Sequence, residues 1–151
     1  MAMDFTRNRP QSVQADLETY SVLVAEDDRT MADLLSINLR RLGHRVAGIA
    51  WNGREAVDMA LRVRPDLIVM DIHMPILNGL EAARELLDKH PIPIVLSTGV
   101  SDAKAVHGAI DLNLVSYLVK PFSPAQLKVA LHLAVAQFRA LAKPFPIAAA
   151  S

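Results

Sequence analysis

Polar residues follow four short apolar segments of the chain, and their types suit one kind of chemistry. Three acids stand at 26–28, Asp71 follows a second segment, Ser97 and Thr98 end a third, and Lys120 follows a fourth. Carboxylates crowded together repel one another, whereas Mg²⁺ takes oxygen ligands from carboxylates, carbonyls and water. A metal, a carboxylate nucleophile, a hydroxyl and an ammonium group together describe phosphoryl transfer. This chemistry requires the four segments to end at one place.

The segment before Asp71 has the clearest character. Residues 67–70 are four consecutive apolar residues, too few for a helix and rich in branched side chains, which predicts a strand buried on both faces. Pro75 cannot donate to a sheet and indicates a loop soon afterwards. An Asp at the carboxyl end of such a strand lies in the crevice where α/β sheets bind ligands. Asp71 is therefore our candidate for a covalent phosphate acceptor.

Strands and helices are predicted to alternate five times along the chain. The predicted strands cover 22–25, 45–50, 67–71, 94–97 and 116–119, and amphipathic helices follow each of them. This alternation is typical of a three-layer α/β domain with a parallel sheet and right-handed crossovers, so all strand ends meet at one edge. We predict this domain over 21–143, after a flexible leader at 1–20 and before a frayed tail at 144–151.

Composition excludes several classes of protein. Apolar residues make up 52% and charged residues 21% of 151, as in one globular domain. Sixteen basic and sixteen acidic side chains balance, so we expect no direct nucleic-acid binding. The chain has no cysteine, which excludes disulfides. We find no signal peptide and no membrane-length apolar run, and we expect a cytoplasmic protein without membrane contact.

Four motifs, in this order, resemble the receiver domain of bacterial two-component response regulators. They are VAEDD at 24–28, VMDIHMP at 69–75, STG at 97–99 and YLVKPF at 117–122. The resemblance covers about residues 20 to 140. It implies a flavodoxin-like (βα)5 sandwich with a five-stranded parallel sheet in the order 2-1-3-4-5. It also implies that a sensor histidine kinase, or a histidine phosphotransfer protein, supplies the phosphoryl group.

The resemblance implies a metal site around the acceptor. Asp71 matches the phosphorylated side chain, and Glu26 and Asp27 match the acidic pair that holds Mg²⁺ (or Mn²⁺). The metal would also contact Asp71 itself and the backbone carbonyl of His73. Such a chain catalyses its own phosphorylation and autodephosphorylation and is not otherwise an enzyme.

Three further positions match the family's phosphoryl contacts and its switch. Thr98 matches the hydroxyl that bonds a phosphoryl oxygen, and Lys120 matches the ammonium group that pairs with it. Thr98 and Tyr117 match the switch pair, in which the aromatic ring turns inward as the hydroxyl moves. The resemblance also predicts a cis peptide bond between Lys120 and Pro121. Taken alone, Tyr117 could equally be a packing residue.

Other polar side chains have plainer interpretations. Asp28, Asn78 and Asp102 are each predicted to cap the helix that follows, and the His73 imidazole to be exposed at the pocket rim. The remaining histidines are predicted to lie on the surface; these are His44, His90, His107 and His132. Because His73 and Val100 offer no acid or amide to orient water, we predict a long-lived phosphoryl group.

The last helix carries two apolar stripes. Leu127, Leu131, Ala134, Phe138 and Leu141 are predicted to face the sheet. A second stripe on nearly the opposite side suggests a partner surface; it consists of Val129, Leu133, Ala136 and Ala140. We favour a homodimer through the fourth and fifth predicted helices and the fifth strand.

Two other functions remain open at this point. A phosphorylation-independent interaction module of receiver fold would not bind Mg²⁺. An aspartate-nucleophile phosphatase would carry a second acid two residues after the nucleophile, where this chain has His73. We expect no output domain, although 134–139 (AVAQFR) is similar to receivers that continue into an RNA-binding antitermination bundle.

Overall fold

A five-stranded parallel sheet forms the centre of the fold. The computed structural model describes residues 18–102 and 115–142. The strands are β1 (Ser21–Ala25), β2 (Arg45–Ala50), β3 (Leu67–Asp71), β4 (Ile94–Gly99) and β5 (Val115–Lys120). They pair in the order β2-β1-β3-β4-β5, all parallel, which confirms the predicted α/β fold.

Helices cover both faces of the sheet. The described helices are α1 (Arg29–Arg41), α2 (Gly53–Val63), α3 (Gly79–Lys89) and α4 (Pro124–Ala142). One buried cluster joins the sheet to α2 and α3, and a second joins it to α1 and α4. All five residues of the central strand β3 are buried, as its unbroken apolar run predicted. Beyond Asp102, the helix predicted between β4 and β5 lies outside the described residues.

Short polar side chains fix the starts of three helices just beyond the strand ends. Asp28, Asn52 and Asn78 each accept a hydrogen bond from the backbone N–H three residues further on. Such a cap stabilises a helix by about 1 kcal/mol, because it satisfies a donor that the helix leaves unpaired. The predicted capping role of Asp28 is confirmed. At the other end of α1, Gly43 has a φ of 93° and closes the helix.

The last helix is longer than the strands that it covers. Leu127, Leu131 and Ala134 face the sheet and are buried as predicted. The prediction for Leu141 was wrong, since its side chain is 50% exposed. Nineteen helical residues span about 28 Å, whereas the six residues of β5 span about 20 Å. The end of α4 therefore projects past the sheet.

A ring cluster holds the start of β1 against its neighbours, and it corrects one prediction. His44 was predicted to be a surface residue but is buried, at 5% exposure. Its Nδ1 accepts the backbone N–H of Tyr20 at 3.1 Å, and its ring stacks on that of Tyr20 at 5.1 Å. The ring of His132 meets both edge-on, and the Tyr20 hydroxyl donates to Glu18 at 2.6 Å. Tyr20, which the sequence placed in the leader, is itself buried.

This cluster predicts that the fold loses stability in mild acid. Burial, and next the charge of His132, lower the pKa of His44 below its ordinary value, so the unfolded chain binds a proton at a higher pH than the folded chain does. The contribution of His44 to the free energy of unfolding is therefore complete above about pH 6.5, and it is lost as the pH falls towards the pKa of His44 in the folded chain. Urea unfolding at pH 7.5 and 5.5 should show a smaller loss for His44→Gln than for the unmodified protein. His90→Gln is the control. An equal loss of unfolding free energy in His44→Gln and in the unmodified protein would contradict this prediction.

Candidate functional site

The register of the sheet brings the predicted site residues to one edge. Asp71 pairs with Ser97 across β3 and β4, and Lys120 pairs with Gly99 across β4 and β5. Glu26 comes one residue after Ala25, which pairs with Met70. Since every strand runs in the same direction, their carboxyl ends form a single rim.

Lys120 lies between two carboxylates at this rim. Its Nζ is 3.2 Å from Oε2 of Glu26 and 3.4 Å from Oδ1 of Asp71. The Glu26 and Asp71 side chains are 6% and 11% exposed, and that of Lys120 is 24% exposed. Charges so far removed from water interact more strongly than surface pairs. The pocket therefore places one ammonium group against two nearly buried carboxylates.

The pKa values in the pocket reflect this crowding. Burial, and next the charge of Asp71, raise the pKa of Glu26 above its usual range, and Lys120 only partly opposes them. Burial alone would lower the pKa of Lys120, but the charges of Asp71 and Glu26 outweigh it and raise that pKa. Lys120 thus stays charged at neutral pH, while two acids still repel each other across the pocket.

A third carboxylate completes a group of acids whose geometry suits a metal ion. Glu26, Asp27 and Asp71 each offer an oxygen, and these three atoms lie within 4.8 Å of one another. Asp27 is exposed, so the group opens to solvent. Hard oxygen donors around an open position fit Mg²⁺, which keeps several waters when it is bound. A divalent cation here would also relieve the repulsion that raises the pKa of Glu26.

Two backbone hydrogen bonds hold the loop between β3 and α3, and a glycine donates each of them. The N–H of Gly79 donates to the carbonyl of Ile72 at 2.7 Å, and that of Gly53 donates to the carbonyl of Leu77 at 3.0 Å. A Cβ at residue 79 would overlap the carbonyl oxygen of Asp71, so only glycine allows this approach. The loop that carries His73 is thereby fixed to the start of α3.

Ile76 lies in this loop with a left-handed backbone. Its φ is 72° and its side chain is 80% exposed. This conformation is strained for a β-branched residue, by about 1–2 kcal/mol. We expect Ile76→Gly to raise the free energy of unfolding by about 1 kcal/mol, after the greater chain entropy of glycine is subtracted. Urea titration tests this, with Ile76→Val as the matched control; an equal gain for Val would contradict a backbone cause.

The remaining predicted residues surround this pocket at different depths. Thr98 is fully buried, and its hydroxyl donates to the carbonyl of Gly99 at 3.2 Å. Tyr117 pairs with Leu96 in the sheet, packs against the cluster on the α2–α3 side and is partly buried, which raises its pKa. The Lys120–Pro121 bond is cis, as predicted.

The His73 side chain is 68% exposed, as expected, but it makes a contact that sequence reasoning missed. Its Nε2 lies 2.8 Å from Oδ2 of Asp102, in the loop after β4. The sequence indicated Asp102 only as a possible helix cap. Its place three residues after the last residue of β4 was the one available signal that it could reach the rim.

Comparison with known proteins identifies the family. The model of the response regulator receiver domain matches residues 22–132. The chain belongs to this family of two-component signalling domains. It is 42% identical over 118 residues to the transcriptional regulatory protein PdtaR of Mycobacterium tuberculosis, covering 78% of this chain and 58% of that protein. It is 35% identical over 112 residues to the chemotaxis protein CheY of Thermotoga maritima, covering 74% of this chain and 93% of CheY.

Solved structures agree with this assignment. The signal receiver domain of a modulated diguanylate cyclase from Desulfovibrio desulfuricans superposes with a TM-score of 0.74 at 33% identity, over 82% of this chain and 99% of that chain. The chain thus spans nearly all of an isolated receiver domain but 58% of the length of PdtaR. Among the described residues, no helix has the length and apolar character to cross a membrane.

Proposed function

We propose that this chain is a Mg²⁺-dependent phosphoacceptor, in which Asp71 receives a phosphoryl group from a phosphohistidine. The observation that carries the proposal is the pocket itself. Lys120 lies within 3.4 Å of Asp71, and Glu26 and Asp27 each offer a carboxylate oxygen within 4.8 Å of one from Asp71. A reactive carboxylate with a fixed cation and an open acidic group is the arrangement that phosphoryl transfer requires.

The chemical step is a displacement at phosphorus. An oxygen of Asp71 attacks in line, the new O–P bond forms, and the P–N bond to the donor histidine breaks with its electron pair going to the imidazole. In this step the Lys120 ammonium group neutralises charge on one phosphoryl oxygen, and the Thr98 hydroxyl donates to another after it releases the carbonyl of Gly99. Bound Mg²⁺, held by Glu26, Asp27, Asp71 and the carbonyl of His73, would supply further charge neutralisation at phosphorus. Water later attacks phosphorus, the bond between phosphorus and the Asp71 oxygen breaks, and inorganic phosphate leaves, which restores the carboxylate.

An apolar hollow beside Lys120 suits the phosphodonor, a kinase or a phosphotransfer protein. It has a volume of about 170 Å³ and lies between α1 and the loop after β5, with Met31, Leu34, Leu35, Pro121 and Phe122 in its lining. Leu34 is 50% exposed, so part of this apolar lining is open to a partner. A helix that presents a histidine could dock here with its imidazole directed at Asp71.

The signal is proposed to leave through β5 and α4. Movement of Thr98 towards a phosphoryl oxygen frees space beside Tyr117, which biases a two-state equilibrium at this face. An apolar hollow of about 340 Å³ lies there, lined by Tyr117, Leu118, Val129 and Leu133 among others. Val129 and Leu133 are 56% and 52% exposed, as the second stripe predicted. We propose that a second copy of the chain covers this surface.

Incubation with acetyl phosphate tests the function directly. We expect the intact protein to gain the mass of one phosphoryl group in the presence of Mg²⁺, and none in the presence of EDTA. Turnover of a generic phosphate ester would instead favour a phosphatase. Failure to bind Mg²⁺ would favour an interaction module that does not depend on phosphorylation.

The lifetime of the phosphoryl group is a separate prediction. Neither His73 nor Val100 offers an acid or amide that would orient water at phosphorus, and the His73 imidazole is held by Asp102. We therefore expect slow decay after the donor is removed, followed on Phos-tag gels. Decay within seconds would contradict this.

A further inference from the structure

A chain of hydrogen bonds connects the rim of the pocket to the hydroxyl of Thr98. His73 Nε2 contacts Oδ2 of Asp102 at 2.8 Å. The backbone N–H of Asp102 donates to the carbonyl of Gly99 at 3.2 Å, which closes a tight turn after β4. The same carbonyl accepts the hydroxyl of Thr98 at 3.2 Å. The contact between His73 and Asp102 thus holds the turn at 99–102, and the Gly99 carbonyl in this turn accepts the hydrogen bond from Thr98.

This arrangement is incompatible with a hydrogen bond from Thr98 to a phosphoryl group. A hydroxyl has a single proton to donate, so Thr98 must release the Gly99 carbonyl before it donates to a phosphoryl oxygen. Any contact that fixes the turn at 99–102 therefore opposes that change. His73 makes such a contact, and it lies in the same loop as the phosphate acceptor, two residues after Asp71.

We infer that the contact between His73 and Asp102 is a latch, which stabilises the unphosphorylated arrangement of the loop after β4 and lowers the affinity of the pocket for a phosphoryl group. The inference rests on the proposed function, because it assigns a regulatory contact to the same site. Asp102 acts through Thr98 and is a positioning residue. The side chains of His73 and Asp102 are 68% and 39% exposed, so the latch is weak, about two- to fivefold in the equilibrium between the two arrangements.

Binding of beryllofluoride, a phosphoryl mimic, tests the latch. In saturating Mg²⁺, we expect Asp102→Ala to bind beryllofluoride about two- to fivefold more tightly than the unmodified protein. The affinity for Mg²⁺ alone should stay the same, which a general loosening of the pocket would not predict. Asp88→Ala, which removes an exposed acid from α3, is the matched control and should change neither affinity.

A double-mutant cycle shows whether the two side chains act together. His73→Ala keeps the backbone carbonyl and should tighten beryllofluoride binding as Asp102→Ala does, while the double variant should bind no more tightly than either single variant. Unchanged or weaker binding in Asp102→Ala, or additive effects in the double variant, would overturn the inference. If the unmodified protein bound Mg²⁺ but no beryllofluoride, the proposed function would fail first, and this inference with it.

Discussion

Asp71→Asn should abolish phosphoryl uptake and leave the chain folded. An amide oxygen is a far weaker nucleophile than a carboxylate, so no acyl phosphate forms at this position. The change also removes a charge that, after burial, is the largest cause of the raised pKa of Glu26. We therefore expect the free energy of unfolding at neutral pH to equal or exceed that of the unmodified protein, because repulsion between buried acids is relieved.

Two measurements on the same sample separate loss of chemistry from loss of fold. Intact mass after incubation with acetyl phosphate and Mg²⁺ gives the uptake, and urea titration gives the stability. Asp88→Asn, on the exposed side of α3, should match the unmodified protein in both. Uptake by Asp71→Asn at the unmodified level would show that another residue is the acceptor.

The sequence predicted the features that depend on local pattern. The four apolar residues before Asp71 predicted a strand buried on both faces, and β3 is fully buried. Likewise, the short polar side chains of Asp28 and Asn78 have a local use as caps, and both cap helices. Once the strands were known to be parallel, the rim that joins Glu26 to Lys120 followed from topology alone.

Features that depend on packing between distant segments were not predictable in the same way. Nothing beside His44 in the sequence indicates burial, because its partners are distant along the chain. Tyr20 lies 24 positions before His44, and His132 lies 112 positions after Tyr20. Asp102 has a local use as a cap, and only the fold shows that it reaches His73. The left-handed backbone of Ile76 is also invisible in the sequence, because β-branched residues avoid it.

Lys120→Met should change metal binding and phosphorylation in opposite directions. The Lys120 ammonium group lies 3.2 Å from Glu26 and 3.4 Å from Asp71, so it competes with a cation for the same carboxylates. Its removal should tighten Mg²⁺ binding by about tenfold. The same change removes a fixed positive charge from the transition state, and we expect phosphorylation by acetyl phosphate to slow by about 100-fold. Methionine keeps the unbranched apolar stem of the side chain and most of its length.

Trp51 provides the signal for the Mg²⁺ titration. It is the single tryptophan of the chain, and it follows Ala50, whose carbonyl accepts the backbone N–H of Glu26 at 2.9 Å. Lys89→Met is the matched control, because it removes an ammonium group that pairs with Glu85 on α3, away from the pocket. Weaker Mg²⁺ binding in Lys120→Met would mean that the ammonium group organises the acids for the metal. Tighter Mg²⁺ binding together with slower phosphorylation would mean that Lys120 has two roles. Its ammonium group holds the acids together until the metal binds, and it then neutralises charge on the phosphoryl group.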